Sequence, residues 1–265
     1  MVRPLATSAL ALILGAVPVL AEVTPAQVWE NLQKYSTDYG YVVSGNVDDA
    51  GGTLTVTDAV FSMTNEDGKT SLTFPQMTFQ ETGDAKVRVV VEGDVAVDSR
   101  FSVPAPAEAE DMAEGTDPAP EAEAPEMVEM AVTGTIKVPG NEMVVSGTPE
   151  DMLYEYTYPT LAFDFSLPAE PGQDATIPVT GTITDLAGSQ RNAQADGGTN
   201  TTYDLTAARA EVQVAATMPA DEAGAGGGTM DFQIALNNLA SQGSGKTPAR
   251  PSTWAPRWPR PWLPG

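Results

Sequence analysis

The chain has 265 residues, with 36 acidic and 13 basic side chains for a formal net charge of −23, and it contains neither cysteine nor histidine. Those two absences exclude disulfides, a lipidated N-terminal cysteine, Ser-His-Asp and Cys-His nucleophile systems, and the usual zinc and copper sites. The acidity repels nucleic acid and anionic headgroups, so neither is expected as a partner.

Residues 1–21 carry Arg3 near the start, an uncharged apolar run, and the small-residue ending Val19-Leu20-Ala21. This pattern predicts a secretory signal cleaved after Ala21. The run contains Gly15 and Pro18 and is shorter than the roughly 20 apolar residues of a membrane span. Export to the periplasm of a Gram-negative bacterium is the expectation, with no integral membrane segment after cleavage.

A helix follows. Thr24 is placed to cap it, with Pro25 at its first position and Gln27 three residues after the cap. Val28, Leu32, Tyr35 and Tyr39 form one apolar stripe with Trp29 beside it, and Gly40 supplies the stop. After Tyr41 the chain is β-rich. TLTVTDAVFSM and SLTFPQMTFQ predict a hairpin across NEDGK, and KVRVVVEGDVAVDSRFSV predicts another turning at Glu92-Gly93-Asp94. Residues 104–126 hold eight carboxylates, five prolines and no basic residue, a composition that cannot offset ordering entropy and predicts a disordered insertion. EMAVTGTIKV, EMVVSG, LYEYTYPTLAFDFSL, TIPVTGTI, YDLTAARAEVQVAA and MDFQIAL then continue the strands.

One pattern recurs. In LTFPQMTF, Leu72 and Phe74 alternate, then Met77 and Phe79 alternate with opposite parity. YTYPTLAF repeats this with Tyr156, Tyr158, Leu161 and Phe163, as do LTVTDAVF at 54–61 and LTAARAEV at 205–212, with a weaker echo at Ile234, Leu236 and Leu239. Strand side chains alternate faces, so an inserted residue is needed to return the second pair to the first face. Pro75 and Pro159 fall at that insertion, where a missing donor is tolerated. The expected fold is mainly β: a large curved antiparallel sheet, open or partly closed as a half-barrel or groove, of eight to eleven strands with one N-terminal helix. Either the helix and a fold-back of the sheet fill the apolar face, or it stays partly open.

From Lys246 the composition changes, with three of the four tryptophans, six prolines, four basic residues and no acidic one in 246–265. As a genuine segment this is a Pro/Arg/Trp-rich disordered tail; the alternative, which the codon pattern favours, is a reading-frame change near residues 244–252. The expected organisation is therefore signal 1–21, helix and hairpins 22–103, acidic Pro/Ala-rich insertion 104–126, sheet continuation 127–245, and tail 246–265.

VTPAQVWENLQKY…DYGYVV, GGTLTVTDAVFSMT and the NLASQGSG region resemble a family of exported bacterial proteins, the domain of unknown function 2125 family. Val28-Trp29 and Tyr39-Gly40-Tyr41 carry the likeness best. That family has no assigned activity, so the resemblance implies export and no catalytic residues. The residues themselves lead to a non-enzymatic reading without cofactor or metal: an apolar small molecule or lipid held on the sheet by Leu72, Phe74, Met77, Phe79, Tyr156, Tyr158, Leu161 and Phe163. The alternative is a structural or protein-interaction module of the cell envelope without a ligand.

Overall fold

The computed structural model of the chain describes residues 23–65, 68–104, 127–169, 175–218 and 227–248. The expected signal, residues 105–126 of the expected insertion, and the tail beyond Pro248 lie outside them.

The helix α1 spans Pro25–Asp38. Thr24 and Gln27 cap each other reciprocally: Gln27 N donates to Thr24 Oγ1 (3.3 Å) and Thr24 N donates to Gln27 Oε1 (3.0 Å). The buried stripe is centred on Val28 and Trp29, with Leu32 packed against it, and leans away from Tyr39, which is exposed.

Eleven strands follow: β1 Val42–Ala50, β2 Thr53–Asn65, β3 Gly68–Thr82, β4 Lys86–Glu92, β5 Val95–Pro104, β6 Met127–Lys137, β7 Glu142–Thr148, β8 Asp151–Pro168, β9 Thr176–Ala195, β10 Gly198–Met218 and β11 Gly228–Pro248. They form one large antiparallel sheet in the order β1-β2-β3-β4-β7-β8-β9-β10-β11, with β5 beside β3 and β6 and with β6 beside β8. The mainly-β, single-helix architecture is the one the sequence predicts. β11 runs through the expected tail boundary, pairing Lys246 with Asn200 and Thr247 with Thr199.

The hairpin between β2 and β3 is present. The one predicted at Glu92-Gly93-Asp94 is not. β4 and β5 both run antiparallel to β3, with Gln76 opposite Glu92 and Thr73 opposite Ala96, so they are two halves of one bent strand. Gly93, at φ +85, makes the bend, and a methyl group there would come within 3.0 Å of the Pro75 ring. β6 and β7 are likewise collinear, since Lys137 faces Ala162 and Glu142 faces Thr157 along β8. Between these two bent strands the ladder opens into a slot of about 530 Å³, which accounts for the ring β3-β4-β7-β8-β6-β5 in the pairing.

The parity switches line up. Pro75 lies opposite Asp58, Pro159 opposite Asp185, and Ala208 opposite Asn238, each pair falling between regular pairs whose register does not change. Asp58, Asp185 and Asn238 take left-handed φ values of 52°, 51° and 53°, a conformation Asp and Asn tolerate better than other side chains. The expected one-strand bulge is therefore, along most of the sheet, a matched insertion in both partners. True register shifts appear toward β1, between Ser44 and Asn46, and at the Gly93 bend, where residues 93–95 pass residues 74–75 of β3. With the bends at Gly93 and at Val138–Asn141, these residues form a crease crossing every long strand at one level.

The switch does keep the apolar face continuous. Leu54, Val56, Ala59, Phe61, Met77 and Phe79 belong to one buried cluster, and Leu72 and Phe74 pack against it.

Candidate functional site

The crease divides the helix-bearing face into two halves. On one half α1 closes the core. Trp29 sets its ring edge-on to Phe61 (6.2 Å) and Phe79 (5.8 Å), over Val56, Val87, Val89, Val145 and Met152. Tyr154 donates from its hydroxyl to Asn31 Oδ1 (2.7 Å), tying helix to sheet. Burial, with a smaller contribution from the Tyr35 phenol, holds the Tyr154 phenol well above the usual tyrosine range. Beyond Tyr154, a small apolar cavity of about 160 Å³ remains between Leu32, Tyr35, Met143 and Tyr156.

Beyond the β2 end, where Trp29 reaches across the crease to Phe61, no described element covers the other half. Register and strand alternation place on that face Leu72 and Phe74 of β3, Val95 and Val97 of β5, Ile136 and Val132 of β6, Leu161, Phe163 and Phe165 of β8, Ile183 and Val179 of β9, Val212 and Val214 of β10, and Leu236, Ile234, Phe232 and Met230 of β11. The same alternation sends Asp98, Arg100, Lys137, Asp164, Arg209, Glu211 and Asp231 to the opposite face, so the uncovered half carries no charge. Most of its side chains are half-buried by their lateral neighbours. The β11 row is open: Met230, Phe232, Ile234 and Leu236 are 52, 51, 44 and 52% exposed.

Aromatic rings build part of this floor by lying across glycines of the next strand. A methyl group on Gly181 would come within 2.2 Å of the Phe163 ring, and one on Gly134 within 2.3 Å of the Phe165 ring. Phe163 and Phe165 themselves stack, with centroids 5.3 Å apart and planes 23° from parallel. The glycines let the rings lie flat along the sheet.

The eight residues singled out in the sequence share this face but not one environment. Met77 and Phe79 are buried in the filled core. Leu72 and Phe74 stand at its margin, Phe74 edge-on to Phe61 at 5.2 Å. Leu161 and Phe163 lie on the uncovered half, Tyr158 is at the crease, and Tyr156 lines the small cavity. Burial raises both phenols, helped at Tyr156 by the Asp204 carboxylate and at Tyr158 by Tyr156. Sequence reasoning placed Ile234 and Leu236 in the repeat but not among the site residues, because MDFQIAL reads as an ordinary strand; its position at the sheet edge comes from topology alone. Among the described residues no cluster of carboxylates could hold a metal ion, and no helix is long and apolar enough to cross a membrane. Comparison with protein-family models, with curated proteins and with solved structures gives no match to this chain.

Proposed function

We propose that the chain is an exported binding protein that holds an acyl chain, or a lipid carrying one, against the uncovered half of its sheet. The observation that carries this reading is the uncharged apolar face running from Leu72 to Leu236, with Met230, Phe232, Ile234 and Leu236 half-exposed in an acidic protein. Contiguous exposed apolar surface of this kind is unusual in a monomer and marks an interaction site. An occupant must be apolar and uncharged along its length, which fits hydrocarbon. Binding is burial, at about 25 cal/mol per Å² of apolar surface, with no covalent step. Its contacts are Leu72, Phe74, Leu161 and Phe163 with the β11 row; Met77 and Phe79 support them from the core. The predicted signal and the likeness to the domain of unknown function 2125 family support a periplasmic location. A second reading, an envelope interaction module without ligand, draws support from the long unpaired edge of β11.

The exported protein is purified from periplasm, extracted for lipids, and titrated with a fluorescent fatty acid. Co-extracted lipid and saturable uptake are expected. Phe163→Glu and Ile234→Glu should each weaken uptake at least about tenfold by placing a charge against hydrocarbon, while Asp98→Asn on the opposite face should not. Lipid-free protein with no saturable uptake overturns the proposal in favour of the second reading.

A further inference from the structure

The two edges of the sheet are built differently. β1 is short, carries Asp48 and Asp49, and is irregular at Gly45, all features that discourage further pairing. Among the described residues, β11 pairs with β10 along its whole length and with nothing on its other side. Its 21 residues contain two charges, Asp231 and Lys246. A long row of free backbone donors and acceptors is complemented by another strand.

Residues 249–265 as they stand include five prolines, and proline cannot donate to a ladder, so a second copy is the better source of that strand. We infer that β11 pairs antiparallel with β11 of a second copy, joining two sheets into one.

The crease fixes the register. For both apolar rows to fall on one face, Leu236 must lie opposite Leu239 of the other copy, because these residues flank the crease on that face. Counting outward, Phe232 then faces Gly243, and Met230 faces Gly245, where a side chain would meet nothing within 4 Å. Phe232 would repeat the aromatic-over-glycine arrangement seen inside the sheet, meeting the Tyr203 ring that already crosses Gly243. On the opposite face Asp231 falls opposite Ser244, with Lys246 as its diagonal neighbour. The only two charges on the strand are thereby brought together with opposite sign. The inference does not rest on ligand binding: edge pairing consumes backbone groups and leaves the apolar face free.

The native chain contains no cysteine, which gives a clean test. The full-length exported protein is sedimented across the micromolar range, and Asp231→Cys and Ser244→Cys proteins are oxidised separately and mixed. A dimer is expected, with a disulfide-linked species formed in the mixture and far less in either protein alone. The double variant Phe232→Lys, Ile234→Lys should sediment as a monomer with an unchanged far-ultraviolet spectrum. A monomeric native protein overturns the inference. So does a dimer that survives the double variant, or one that fails to cross-link in the mixture, since its interface lies elsewhere. Neither outcome touches fatty-acid uptake by the monomer.

Discussion

At Asn141 a carboxamide takes the place of a peptide group. Where β6 bends into β7 the β4–β7 ladder stops at Val89, so Val91, paired with Met77 of β3 on one side, has no strand partner on the other. Asn141 Oδ1 accepts from Val91 N (2.8 Å), while its Nδ2 donates to Val91 O (2.7 Å) and to Val138 O (2.7 Å). The residue is buried, so water does not replace these bonds freely. Leucine is nearly the same size and can make none of them. Asn141→Leu should therefore cost at least about 2 kcal/mol, from the unsatisfied groups left at the bend. Urea unfolding checks it, with Asn46→Leu on the exposed β1 edge as the control that should change little.

At the scale of elements, α1 and the strand beneath it are joined through a phenol. Tyr154 is neutral in the fold at a pH where a tyrosine in the unfolded chain ionises, near 10. Its folded pKa is raised, so its contribution to stability is complete below about pH 10 and declines above it, as the unfolded state releases the proton first. Tyr154→Phe should flatten this alkaline decline without abolishing it, since burial also raises Tyr35, to about 12, as well as Tyr156 and Tyr158. At neutral pH the variant should lose about 1 kcal/mol with its bond to Asn31. Urea midpoints measured from pH 7 to 11 would show both effects; an unaltered slope excludes Tyr154 as a source. The element scale is also where the sequence was most legible. The Thr24–Gln27 cap, the spacing of Val28 and Leu32, and the out-of-step pairs around Pro75 and Pro159 all record local geometry, and local geometry is written in nearest neighbours. Glu92-Gly93-Asp94 misled because a glycine at positive φ serves a tight turn and a bend in a continuing strand equally well. Only the partner strand β3 decides between them. The division of the eight candidate residues into core and open face was hidden for a related reason: Phe79 and Phe163 have similar flanking sequences and differ in whether a helix lies above them.

The whole molecule is unevenly packed. The fully buried large side chains, Phe79, Met152, Val28, Val56, Val87, Val89 and Val145 among them, all lie on the helix side of the crease. Regions with fewer buried contacts open at lower free energy. Amide exchange should accordingly be slower over Asp151–Tyr158 of β8 than over Thr160–Pro168 of the same strand, and the second segment should slow when fatty acid is bound. The reverse order would mean that something covers the far half.

An antiparallel sheet of long strands faces a particular hazard: sliding one strand by two residues preserves which side chains face which way, so alternation alone does not forbid it. Here such a slide would set Asp58, held in a left-handed conformation, against a regular stretch of β3 and leave Pro75 in a position that demands a donor. The crease thus acts as an index notch, cut at the same height in each strand, through which neighbouring strands find one alignment.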